Sequence, residues 1–163
     1  MTETVYTKSD VGLTLDNWNP YAAAVGDVNR DMGTDLVFFS QSQDSGMDTP
    51  ILEIGYRTSA DGAAPTYRWE TVPVTSGRVG QGLVVLDLDA DGKTEILMTS
   101  FENANLVSYE WDEVSGTIQA EPVMTPGSIS GREVRVADLD DDGHLDLIWR
   151  SGTASGIGIL WGS

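Results

Sequence analysis

The chain has 163 residues and a formal net charge of −17, set by 26 Asp and Glu against 9 Lys and Arg. That excess argues against nucleic acid and against an anionic membrane surface, both of which need a basic face. With 40% hydrophobic residues the chain can bury the core of one domain, which argues against wholesale disorder, and it has no cysteine for disulfides, cysteine-ligated zinc or thiol chemistry. No run approaches the ~18 apolar residues of a membrane span, and the opening MTETVYTKSD lacks the charged-then-apolar pattern of a signal peptide.

In chain order, residues 2–15 hold a strand-like stretch around Val5, Tyr6, Val11 and Leu13. Trp18, within Asp16-Asn17-Trp18-Asn19-Pro20, reads as loop-borne and is a candidate ligand-stacking residue. Ala23–Val25 and Leu36–Phe39 then form a pair of strands around an acidic loop, followed by strands at Ile51–Tyr56 and Tyr67–Val72. The pattern recurs: Leu83–Leu86 and Ile96–Met98 flank a second loop, followed by strands at Leu106–Trp111 and a less regular Thr117–Val123. A third loop lies between Val134–Val136 and Leu147–Arg150, with one more strand at Gly156–Trp161. These short runs, rich in β-branched residues and bounded by Gly, Ser and Asp, have strand and not helix character. Trp149 and Trp161, on predicted strands, are expected to pack in the core.

The three loops share one design. Asp27, Asn29, Asp31 and Asp35 occupy positions 1, 3, 5 and 9 of the first; Asp87, Asp89, Asp91 and Glu95 those of the second; Asp138, Asp140, Asp142 and Asp146 those of the third. Carboxylates packed this closely repel one another unless a cation lies among them. Hard oxygen donors at this density suit Ca²⁺, which takes roughly 6–8 oxygens in a flexible shell, better than Mg²⁺ with its stricter octahedron. The backbone carbonyls of position 7 (Gly33, Lys93, His144) and waters are expected to complete each shell. Gly92 and Gly143 at position 6 permit the sharp turn. The first loop has Met32 there, so it is expected to be the weakest of up to three calcium sites.

The opening D-x-D-x-D-G is shared with the EF-hand, but an EF-hand needs a bidentate Glu at position 12 and flanking helices. Position 12 here is Phe38, Met98 or Trp149, and the flanks read as strands. The EF-hand is excluded.

The loops start 60 and then 51 residues apart, and four short antiparallel strands per unit of this length describe a propeller blade. The pattern resembles the FG-GAP and VCBS repeats of integrin α-like propellers, most closely at Val25-Gly26-Asp27-Val28-Asn29 and Asp146-Leu147. The resemblance implies that the calcium loop joins the first two strands of each blade. The expected fold is all-β, a single domain of three blades at about 16–75, 76–125 and 126–163, with the 2–15 strand closing a third blade. Three blades fall short of the ~4 to 8 of usual propellers. Either the chain is part of a longer propeller, or two copies close a six-bladed homodimer.

For function, the resemblance implies a calcium-stabilised recognition module, lectin-like or adhesion-like, for a glycan or protein ligand. A structural or assembly element of a larger complex is the alternative, and a polysaccharide-active enzyme a lesser one. Catalysis has few candidates: His144 is the sole histidine and lies inside a loop, and Lys8 and Lys93 are the only lysines. No catalytic residue is assigned. Calcium loops suit the calcium-rich extracellular side or the cell surface.

Overall fold

The computed structural model describes residues 18–42, 50–60, 62–74, 79–100, 106–121, 131–151 and 156–162. The strand expected within 2–15, and Pro122 and Val123 at the end of another, lie outside the described residues. The described chain is all-β, in three antiparallel sheets.

The first sheet orders β1 (Trp18–Gly26), β2 (Asp35–Ser42), β3 (Pro50–Arg57) and β4 (Tyr67–Pro73) as sequence neighbours. The second repeats this with β5 (Val79–Leu86), β6 (Glu95–Ser100), β7 (Leu106–Asp112) and β8 (Thr117–Glu121). The third holds β9 (Gly131–Ala137), β10 (Asp146–Ser151) and β11 (Ile157–Leu160). Each acidic loop joins the first two strands of its sheet, with Gly26 opposite Asp35, Leu86 opposite Glu95 and Ala137 opposite Asp146. Two strand assignments shift. Trp18 begins β1 opposite Ser42 and so is not loop-borne. Trp161 lies beyond the end of β11 and is exposed, a correction to its expected core position.

Side chains alternate between two faces along every strand, and the register shows which residues share a face. The sheets pack back to front. The back of the first sheet presents Val37, Phe39, Leu52, Ile54 and Tyr56, clustered with Leu83, Ile96, Met98, Tyr109 and Ile118 from the front of the second. Tyr56 meets Trp111 edge-on across this seam, ring centroids 5.4 Å apart. The back of the second sheet presents Leu97 and Leu106, with Val84 and Leu86, against Val134, Leu147, Val136, Trp149 and Leu160 on the front of the third. The first strands run side by side, β5 touching both β1 and β9. A Cβ on Gly82 would lie 2.7 Å from the Val134 amide nitrogen, so β5 approaches β9 backbone to backbone there. Burying each large apolar side chain in these seams contributes about 1.5–3 kcal/mol.

Candidate metal centres

All three acidic loops share one backbone path. Position 4 is left-handed in each, with φ of 61° at Arg30, 59° at Ala90 and 60° at Asp141, and so is position 6, with 67° at Met32, 84° at Gly92 and 90° at Gly143. The first loop thus turns as the other two do although it has no glycine at position 6. Two left-handed residues separated by one other curl the chain so that its amides point back at its own carboxylates. Asp27 accepts from the amides of Asp31 and Met32, both at 3.0 Å. Asp138 accepts from Asp142 at 3.1 Å and Gly143 at 3.0 Å. Asp87 accepts from Gly92 at 3.0 Å, its one donor among the described residues. The Asp91 amide goes to Asp89 instead, at 3.2 Å, and Asp87 Oδ1 is left buried with no hydrogen-bond partner.

Position 9 sits at the start of the second strand of each sheet and is buried in all three loops. Its carboxylate receives the amide of position 2: Val28 to Asp35 at 2.9 Å, Leu88 to Glu95 at 2.7 Å and Leu139 to Asp146 at 2.7 Å. The other oxygen of Asp35 accepts from the Arg57 amide at the end of β3, and that of Asp146 from the Gly162 amide after β11, each at 2.9 Å. In the first and third loops position 9 therefore ties the loop to the chain at the end of the third strand of its sheet. Position 5 braces the exit of the loop by accepting from the amide of position 7: Asp31 from Gly33 at 2.7 Å, Asp91 from Lys93 at 2.8 Å and Asp142 from His144 at 2.9 Å.

Positions 1, 3 and 9 converge. Asp87, Asp89 and Glu95 each bring one carboxylate oxygen within 4.8 Å of the others, as do Asp138, Asp140 and Asp146. In the first loop position 3 is Asn29, whose amide nitrogen donates to Asp31 at 3.0 Å. The crowding of acids shows at Glu95 as well. Burial, reinforced by the charges of Asp89, Asp87 and Asp91 and opposed by the Leu88 amide, pushes its carboxyl up to about 7. Burial raises Asp35 as well, against the amides of Arg57 and Val28. Exposed Asp91 is lowered instead, by the Lys93 amide first and then its ammonium, 3.4 Å away. An acidic triad with one buried oxygen lacking any donor fits a hard cation: Asp87, Asp89 and Glu95 would hold it in the second loop, and Asp138, Asp140 and Asp146 in the third.

The amides of position 2 had a signal in the sequence that the ligand pattern overshadowed: the position is Val28, Leu88 and Leu139, apolar every time. Neighbours beyond the loops had none. Lys93 donates to Glu110 on β7, and Arg30 pairs with Glu113, in the turn between β7 and β8, at 2.7 Å. The second contact joins the first loop to the second sheet.

Residues 87–149 match the family model of the FG-GAP-like repeat. The matched stretch runs from the second loop through β6–β9 and the third loop into β10. No curated protein and no solved structure matches the chain. Among the described residues no helix is long and apolar enough to cross a membrane.

Proposed function

We propose that the chain is a calcium-stabilised β-propeller element that uses the loop-bearing end of its sheets to recognise a glycan or protein ligand on the extracellular side. The observation that carries the calcium reading is the convergence of positions 1, 3 and 9 in the second and third loops, together with the buried Asp87 oxygen that no donor satisfies. Calcium supplies positive charge to this carboxylate set, and the chain supplies a loop already curled around the site. Gly33, Lys93 and His144 would add their carbonyls. Ligand recognition is supported by a hollow of roughly 320 Å³ beside the second loop, lined by Lys93, Glu110, Trp111, Asp112, Glu113 and Gln119. Its acceptors suit hydroxyl groups, and its size lies at the small end of ligand sites.

Calorimetric titration with Ca²⁺, repeated with Mg²⁺, tests the metal. We expect Ca²⁺ to bind more tightly and to stabilise the folded state by ~2.7 kcal/mol per site at a hundredfold excess over Kd, seen as a higher melting temperature. Asp89→Ala or Asp140→Ala should remove part of that gain, and Asp27→Ala less, because Asn29 leaves the first loop one charge short. No calcium-dependent heat or stabilisation would overturn the reading. A glycan array and a pull-down, each with calcium and with chelator, test recognition. Silence in both, alongside a defined higher assembly, would favour a structural role, the reading that the uncovered outer faces of the first and third sheets also support.

A further inference from the structure

Among the described residues the seam between sheets is used twice, which leaves the front of the first sheet and the back of the third without a partner sheet. Equivalent residues of the three repeats show this directly. On the back face, position 2 is Val28 in the first loop, 0% exposed against the second sheet, and Leu88 in the second, packed against the third sheet. Leu139 in the third loop is 43% exposed, and among the described residues no sheet packs over it. Position 11 repeats the trend: Val37 and Leu97 are fully buried and Ile148 only half. On the front face the order reverses. At position 10, Ile96 and Leu147 are buried by the preceding sheet, whereas Leu36 is half-buried. The residue two before each loop follows suit: Val85 and Val136 are half-buried, and Val25 is 60% exposed.

We propose that these two faces belong together: the back of the third sheet receives the front of the first sheet of a second copy, and two chains close a ring of six sheets. Three considerations favour a second copy as the occupant. The missing partner of each face has the chemistry of a face the chain already carries, so the new seam continues the two existing ones. The back-to-front mode is head-to-tail, and such contacts either close a ring or run on as a filament. Two copies of the three described sheets make six, a number within the ~4 to 8 blades that propellers hold.

The seam also has a specific fit. Where the first and second sheets meet, Val85 enters the space over Gly26, with its Cγ1 2.3 Å from where a Cβ on that residue would stand. Val136 and Leu86 lie in the same cluster at the corresponding point of the second seam. Continuing the series, Val25 of one copy meets the small Ala137 of the other. Around this pair the front offers Ala23, Leu36 and Phe38, and the back offers Ile148 and its cross-strand neighbour Ile159, which is 41% exposed. The contact is centred at the loop end of the front face, since Ser40, Ile51 and Glu53 at its other end are already buried. This proposal stands on sheet packing and not on the ligand or metal reading.

The chain has no cysteine, so a Val25→Cys, Ala137→Cys double variant offers a clean test. Light scattering of the native chain in millimolar calcium should give twice 17.5 kDa. Oxidation of the double variant should give a single covalent dimer on a non-reducing gel, with either single variant remaining monomeric. Ile159→Asp, at an exposed site of that back face, should halve the native mass while keeping the β-sheet circular dichroism. A native mass of 17.5 kDa at every concentration would overturn self-association. A ladder of cross-linked multimers would overturn the ring in favour of an open filament. A native dimer without the 25–137 cross-link would overturn this seam.

Discussion

At position 6 of the loops, Gly92 and Gly143 adopt their left-handed backbone at no steric cost, whereas Met32 adopts it against the clash of its Cβ. Its side chain is 91% exposed, so replacing it sacrifices no packing. Met32→Gly should therefore stabilise the protein by about 1 kcal/mol, read from the urea midpoint. Met32→Val, β-branched, should do the reverse. By sequence this residue marks the first loop as the weakest, yet the backbone conforms; the strained φ is the physical form in which the irregular sequence is tolerated. Glu53 offers a second test away from the loops. Burial raises its carboxyl above the ordinary range, and the Thr71 hydroxyl, donating at 2.8 Å, only partly offsets this. The folded state thus holds this proton more tightly than the unfolded chain does, and stability from this group falls as pH rises from the ordinary carboxylate range through the raised one. Glu53→Gln keeps an acceptor for Thr71 and removes the buried charge. Thermal melts should find it more stable than native at pH 8, with the gap closing toward pH 4.

Elements next to the loops were legible because two signals coincide there. A dense acidic motif fixes the turn, and apolar runs on both sides have only strand length available, so the hairpins β1–β2, β5–β6 and β9–β10 follow. The triad at positions 1, 3 and 9 was visible as part of a four-residue set. The separate task of position 5, bracing the amide of position 7, depends on loop curvature and leaves no mark in composition. Sheet ends were less legible: Trp161 looks like a strand residue by type, but the third sheet stops pairing before it. Which apolar residues meet across seams could not be read either, since a strand pattern tells the two faces apart without saying what lies opposite. The seams yield their own tests. Gly82→Ala would force a methyl group against the Val134 amide and the Thr99 side chain, 2.7 and 2.9 Å away, and overpacking of this kind costs typically 1–3 kcal/mol. Val28→Ala should cost about 2 kcal/mol through lost burial and a residual cavity. Arg30→Ala removes only an exposed ion pair and should cost at most ~1 kcal/mol. Denaturant midpoints of the three variants, compared with native, check this ordering.

For the whole molecule, the strands of every sheet are neighbours in sequence while each seam joins one sheet to the next. Stability should then spread along the row, and a chelator should loosen the second and third sheets more than the first if their loops carry the tighter calcium sites. Hydrogen exchange with and without calcium reads this sheet by sheet, and uniform deprotection would show that the three unfold as one. The back-to-front stacking also has a consequence for synthesis on the ribosome. A sheet made of consecutive strands can form as soon as its last strand emerges, because its contacts are local. Its back, however, stays wet until the next sheet has been translated. Val28, Val37 and Phe39 must wait for Leu83, Ile96 and Met98, so the nascent chain carries one greasy leading face throughout elongation. That moving face is where a chaperone would find the unfinished protein, and where two unfinished copies on neighbouring ribosomes would first meet.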